Sequence, residues 1–240
     1  MNRPFRSELK YLVRHADQEV LLENWRRHLV KDPFTNEDAV TPVLSQYYDS
    51  PSLRFYEEKL DGLWFRNKVR LRVYANRFRG GAAAFLEIKQ RLGDKVHKIR
   101  QRLEDFLPSD LEPANWRFSS PEHQSAFGVL LERHHLCPSA QVFYQREAYQ
   151  GAVEPDVRVT FDRSLTGLFP GEVLTPGLLA DSARALMPDT LSIMEVKVTG
   201  TVPSWVTQGA QLVELIQKPV PKYVLAVEKL RLQQMSLNWP

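Results

Sequence analysis

An α+β protein built on one large antiparallel sheet is predicted by three observations. Charge alternates with aliphatic residues in segment after segment, turn signals separate the central segments, and short helix-period stripes flank them. The clearest segment is Lys68-Val-Arg-Leu-Arg72-Val-Tyr74. Successive side chains of a strand point to opposite faces, so Lys68, Arg70 and Arg72 share one side and Val69, Leu71 and Val73 the other.

The elements follow in order. Asp17 is positioned to cap a helix through about Val30, with Leu21, Leu22, Trp25 and Leu29 as its buried stripe and Arg26, Arg27 and Lys31 in solvent. Pro33 to Pro42 reads as a loop, and Gln46-Tyr-Tyr-Asp-Ser-Pro51 as a strand running into a turn. Asp61-Gly62 predicts a hairpin joining strands at 53–59 and 63–74, and Arg79-Gly-Gly81 and Gly93-Asp94 mark further reversals, so residues 53–103 read as a meander. Ser120-Pro121 starts a helix that carries Phe127, Leu130 and Leu131 and closes at His134-His135. That histidine pair is a weak metal candidate, because adjacent helical side chains diverge and histidines at a helix end usually serve the dipole. Strands resume at 141–149, 156–162 and 191–199, with a short helix at 178–187 and two closing helices at 205–217 and 223–234. Neither an internal repeat nor a low-complexity linker interrupts the chain, which reads as a single domain over residues 1–240.

Charge repeats at equivalent spacing on the other segments. Glu87, Lys89 and Arg91 align, as do Lys98, Arg100 and Arg102; Arg158 aligns with Asp162, and Glu195 with Lys197. A polar sheet face in water is the ordinary outcome of such alternation. Like charges directly opposite on paired strands nevertheless destabilise a sheet, by on the order of 4 kcal/mol per close pair at about 4 Å and an effective dielectric near 20, before screening. A surface of this kind is suited to a polyanion, with the interspersed carboxylates available for a metal ion or for ion pairs. Tyr11, Tyr47 and Tyr144 read as packing residues, and Arg100 and Arg102 as rim residues.

Composition narrows the class. With 240 residues, 43% hydrophobic and 25% charged, the chain can bury a full core. The net charge of +3 understates local asymmetry, since carboxylates gather elsewhere, as at Glu104-Asp105, Asp110 and Glu112. A single cysteine, Cys137, excludes an internal disulfide and a thiolate metal cluster. The amino terminus has no signal-peptide core and no apolar run approaches about 18 residues, so a soluble cytoplasmic protein is expected. Glycine-rich phosphate loops, H-E-x-x-H and paired C-x-x-C are all absent, so phosphate would have to be held by side chains. Arginine forks and lysine point charges on strands are equipped for that, and phosphoryl transfer asks mainly for positioning and charge neutralisation.

Ten ordered blocks carry a family resemblance: Glu8-Leu-Lys10-Tyr11, Tyr47-Tyr-Asp49-Ser-Pro51, Phe55-Tyr-Glu-Glu-Lys-Leu-Asp-Gly62, Lys68-Val-Arg-Leu-Arg72, Glu87-Ile-Lys89, Lys98-Ile-Arg100, Tyr144-Gln-Arg146, Arg158-Val-Thr-Phe-Asp162, Glu195-Val-Lys197 and Lys222-Tyr223. The chain resembles the VTC domain, the polyphosphate polymerase branch of the CYTH-like triphosphate tunnel metalloenzymes, in a stand-alone bacterial form. The resemblance implies a closed antiparallel β-barrel tunnel with a polar, basic interior and helices packed outside. It implies that Arg70, Arg72, Lys89, Arg146, Arg158 and Lys197 act on the reacting phosphates, and that Lys10, Lys68, Lys98, Arg100 and Lys222 bind the rest of the substrate. Glu195 resembles the family's metal-binding glutamate, with Glu8, Glu87 and Asp162 as further candidates for metal contact or for orienting the cations.

The implied activity is metal-dependent transfer of the γ-phosphoryl of ATP to a growing polyphosphate chain, with Mg²⁺ or Mn²⁺. ATP, triphosphate and polyphosphate are the expected partners, with no specific nucleic acid. Eukaryotic relatives join this domain to membrane helices, so a membrane-protein partner outside this chain stays open. Two other readings stay open as well. One is a tunnel triphosphatase with water as acceptor, and the other a non-catalytic polyanion-binding module, which would show strong salt dependence without a metal requirement.

Overall fold

A computed structural model describes residues 6–33, 40–93 and 95–237. Most of the expected 33–42 loop and Asp94 of the expected turn lie outside them. The strands are β1 (Arg6–Arg14), β2 (Leu29–Lys31), β3 (Thr41–Asp49), β4 (Phe65–Val73), β5 (Ala84–Leu92), β6 (Lys95–Leu103), β7 (Cys137–Gly151), β8 (Val157–Leu168) and β9 (Leu191–Thr199). The helices are α1 (His15–Trp25), α2 (Arg54–Leu60), α3 (Pro121–His134), α4 (Pro176–Ala180), α5 (Ser204–Leu212) and α6 (Lys222–Leu237). The expected α+β class is therefore correct.

The nine strands pair in the order β1-β9-β8-β7-β3-β4-β5-β6, with β2 added to β7. Strands β1 and β6 end this path without pairing to each other among the described residues. The expected barrel closure is thus corrected to an open antiparallel sheet.

The chain divides into two compact units. Residues 1–41, 144–165 and 187–221 form the first. Its core is the aliphatic side of β8 and β9, with Val157, Val159, Val196 and Val198 against Leu21 and Trp25 of α1 and Trp205 and Val206 of α5. Trp25 is fully buried and its Nε1 donates to the Trp205 carbonyl at 2.9 Å, which satisfies the one polar atom that its burial would otherwise strand. Gly209 lies against the same ring, where an added Cβ would stand 2.3 Å from Trp25 Nε1.

Residues 42–143, 166–186 and 222–240 form the second unit. Val69, Leu71 and Val73 of β4 and Leu86 and Ile88 of β5 pack there with Phe55, Phe127 and Trp116. The alternation read from the sequence is reproduced, with the aliphatic side forming the core and the charged side partly buried.

Local departures have identifiable causes. The expected first helix ends early, at Trp25, because Leu29–Lys31 pair with Gly151–Tyr149 of β7. Arg14, and not Asp17, precedes α1; Asp17 sits in its first turn and accepts from Arg14 at 2.7 and 3.0 Å. The expected hairpin strand at 53–59 is the helix α2. The Asp49 carboxylate accepts from the Phe55 and Tyr56 amides at 2.8 and 3.0 Å and Ser50 Oγ from the Arg54 amide at 3.0 Å, and these bonds satisfy the open donors of the first turn. Asp61-Gly62 then ends the helix, with Gly62 at φ 65° and the Leu63 amide bonded to the Glu58 carbonyl. The expected helix at 178–187 reduces to α4, and that at 205–217 ends at Leu212. Ser120 caps α3 as the sequence predicts, accepting from the His123 amide at 3.2 Å. Among the described residues no helix is long and apolar enough to cross a membrane.

Candidate functional site

In the second unit, strand register sets the charged side of β4, β5 and β6 out as rows. Tyr47, Arg70, Glu87 and Arg100 are successive cross-strand neighbours from β3 to β6. Ser45, Arg72, Phe85 and Arg102 form the next row, and Lys68, Lys89 and Lys98 the row on the other side. Three lysines directly opposite one another are the like-charge arrangement that a sheet disfavours without a compensating anion.

Glu87 supplies an anion to one of these lysines, Lys98, and to two arginines of the neighbouring row. Its carboxylate is buried and meets Arg70 Nε at 2.7 Å, Lys98 Nζ at 2.5 Å and Arg100 Nε at 3.3 Å. Burial opposes its ionisation, but the surrounding Arg70, Arg72 and Lys98 outweigh that effect and hold its pKa far below the ordinary carboxylate range. Burial lowers the pKa of Lys98, with Glu87 acting in the opposite sense. Arg72 is buried and donates to Ser45 Oγ at 3.2 Å, and the Arg100 guanidinium lies 3.7 Å from the centre of the Phe85 ring.

Tyr47, read from sequence as a packing residue, is buried among these cations. Burial alone would raise its pKa, but Arg70, Lys68 and Arg72 outweigh that and bring it down to about 8. Its ring stacks on Tyr223 of α6 at 5.0 Å, and the Tyr223 hydroxyl donates to Asp49 at 2.6 Å. Lys222 opens α6 immediately before that tyrosine. The usable signal for Tyr47 was its place in the β3 alternation with Ser45, both of which face arginines on β4.

The charged side of the first unit is organised around β9. Glu8, Lys197 and Arg158 are successive neighbours on β1, β9 and β8, as are Lys10, Glu195 and Thr160. Lys10 Nζ lies 2.6 Å from Glu8 and 3.9 Å from Glu195, and Lys197 lies 3.0 Å from Glu195. The Glu8 and Glu195 carboxyls thus both approach the same Lys10 ammonium. Burial disfavours charge on Glu195, yet the contact with Glu8 and the charges of Lys197, Lys10 and Arg146 hold its pKa well below the usual range. Burial likewise lowers Lys197, against the opposing pull of Glu195 and Glu8.

Arg146 and Asp162 complete this side as a bidentate pair at 2.6 and 2.8 Å. Burial would weaken the Arg146 charge, and Asp162 reverses this and raises its pKa well above normal. Arg158 is half exposed and donates to Asp32 at 2.8 Å, a partner that no local sequence pattern reveals. Among the expected metal residues, the structure therefore brings Glu8 and Glu195 together, engages Asp162 with Arg146 and places Glu87 beneath three cations. No three His, Cys, Asp or Glu side chains form a ligand cluster among the described residues. Two approaching carboxyls at one strand pair are the donor set that suits a hard divalent ion whose remaining positions are filled by phosphate or water oxygens.

Both units thus carry a strand face on which cations stack around carboxylates. The sequence profile of the VTC domain matches residues 5–231, and the chain belongs to that family. A solved candidate adenylate cyclase from Bacillus halodurans is similar in fold, with a TM-score of 0.52 at 13% identity over 92% of this chain and 96% of its own. A candidate adenylyl cyclase from Hippeastrum, described as having a dominant triphosphatase activity, reaches 0.49 at 11% identity over 93% and 96% of the two chains. No curated protein sequence matches.

Proposed function

We propose that this chain is a metal-dependent polyphosphate polymerase that transfers the γ-phosphoryl of ATP to the end of a growing inorganic polyphosphate chain. The observation that carries the reading, beside family membership, is the stacking of cations on strand faces whose carboxylates stay ionised. Such faces are built for phosphate oxygens, and the acceptor is itself a phosphate, so no protein nucleophile is required. In this reading residues 1–240 act as one catalytic domain.

Arg70, Arg72, Lys89, Arg146, Arg158 and Lys197 hold the reacting phosphates, and their charges screen donor from acceptor and stabilise the leaving diphosphate. Lys10, Lys68, Lys98, Arg100 and Lys222 hold the flanking phosphates. Glu87 and Asp162 orient arginines, Glu87 through Arg70 and Arg100, and Asp162 through Arg146. Glu195 and Glu8 would hold Mg²⁺ or Mn²⁺, which when bound supplies charge neutralisation between phosphate oxygens.

Substitution tests the assignment. Arg72→Ala and Glu195→Gln each abolish turnover of ATP, with far-ultraviolet circular dichroism unchanged. Full activity in both variants overturns it.

A further inference from the structure

Two aromatic rings stand on the charged side of the second unit's sheet, outside its core. Phe85 of β5 is the cross-strand partner of Arg72 on β4 and of Arg102 on β6, so alternation places it among the cations, while its neighbours Ala84 and Leu86 belong to the core. Tyr74 follows the last residue of β4 and meets Phe85 edge to face, with ring centres 5.8 Å apart and planes at 78°. Phe85 is half-buried and Tyr74 is 39% exposed, and neither ring is part of the apolar cluster that fills this unit.

Arginines gather around both rings. The Arg100 guanidinium lies 3.7 Å from the centre of the Phe85 ring and donates to the Tyr74 hydroxyl at 3.4 Å. Burial raises the Tyr74 pKa, but Arg72 and Arg100 outweigh it, against the opposing charge of Glu87, and bring it below its ordinary value. Arg102, the remaining cation of the row, is paired with Glu104 at 3.5 Å. An exposed aromatic ring beside two arginines matches the two ends of a nucleotide. Every nucleobase offers a π-face that stacks on such a ring, and guanidinium forks suit the phosphates that follow it. A bare phosphate chain has use for the arginines and none for the rings.

We infer, on the reading that ATP is the phosphoryl donor, that Tyr74 and Phe85 form the nucleoside subsite of this face, in which the base stacks on the exposed Tyr74 ring and its first phosphates meet Arg72 and Arg100. Stacking holds a base without reading its edges, so the selection exercised is for a nucleoside triphosphate over a triphosphate that lacks a base.

The test is isothermal titration of the full chain, with Mg²⁺, by the non-transferable β,γ-imido forms of ATP, methyl triphosphate and triphosphate; the methyl ester carries the phosphates of ATP without its nucleoside. The ATP analogue should bind about tenfold tighter than the methyl ester. Tyr74→Ser should erase that preference while leaving triphosphate binding and the melting temperature unchanged, and Tyr74→Phe should keep most of it. The subsite alone is overturned by equal binding of the ATP analogue and the methyl ester to wild type, by an undiminished preference in Tyr74→Ser, or by equal losses for all three ligands, which would make the ring a prop for Arg100. Binding of none of the three overturns the subsite and the proposed polymerase together.

Discussion

Arg146 and Asp162 face each other as a bidentate ion pair, Nε to Oδ1 at 2.6 Å and Nη2 to Oδ2 at 2.8 Å, with Asp162 wholly buried. Removing one member strands the other charge. Asp162→Asn should therefore lower unfolding free energy by about 3–5 kcal/mol, read from urea melts, because an uncompensated buried charge costs far more than the pair contributes. A loss below about 1 kcal/mol would mean that water reaches Arg146 freely.

Glu87 makes stability depend on acid in a defined direction. Its pKa in the fold lies far below the value of about 4.3 of an unfolded glutamate, so its contribution is complete above that unfolded value and disappears as pH falls through the folded one. Glu87→Gln should be less stable than wild type at neutral pH, and the two proteins should converge as pH falls below the ordinary carboxylate range. Urea midpoints across that range decide the matter; a gap that stays constant would contradict the charge assignment.

Tyr47 behaves in the same sense at the alkaline end. Its folded pKa of about 8 lies below the unfolded value of about 10, so wild type gains stability relative to Tyr47→Phe as pH rises between the two. The near-ultraviolet phenolate band should show a step centred near pH 8 that Tyr47→Phe removes. Saturating tripolyphosphate should move the step upward, since phosphate beside Arg70 disfavours the phenolate. Titration of every tyrosine at ordinary or higher pH would contradict this placement.

Packing of α1 on α5 depends on Gly209. With a Cβ only 2.3 Å from Trp25 Nε1, Gly209→Ala forces the indole or the helix to shift and should cost about 1–3 kcal/mol by thermal melting. An unchanged melting temperature would mean that the two helices separate easily.

The charged faces were legible because alternation has a simple cause: a strand must bury one side, and Val69, Leu71 and Val73 leave Lys68, Arg70 and Arg72 no other. The helix at Phe55 was hidden by Asp61-Gly62, which serves a helix end as readily as a hairpin. What decides the matter is Asp49, whose carboxylate reaches across the first turn. Leu29 fits the stripe of α1 and was lost to strand β2 by pairing with Gly151, a residue far along the chain. The same distance conceals the site's partners. Asp32 lies 126 positions from Arg158, and the pairing of Lys197 with Arg158 depends on register, which the alternation of either strand does not specify.

The central claim is that the acceptor is a phosphate chain. Incubating the chain with ATP and Mn²⁺ or Mg²⁺, with and without a short polyphosphate primer, and resolving the products on a gel while assaying free phosphate tests it most directly. A ladder of long phosphate chains accompanied by ADP is the predicted result. Stoichiometric free phosphate without chains would contradict it and identify water as the acceptor.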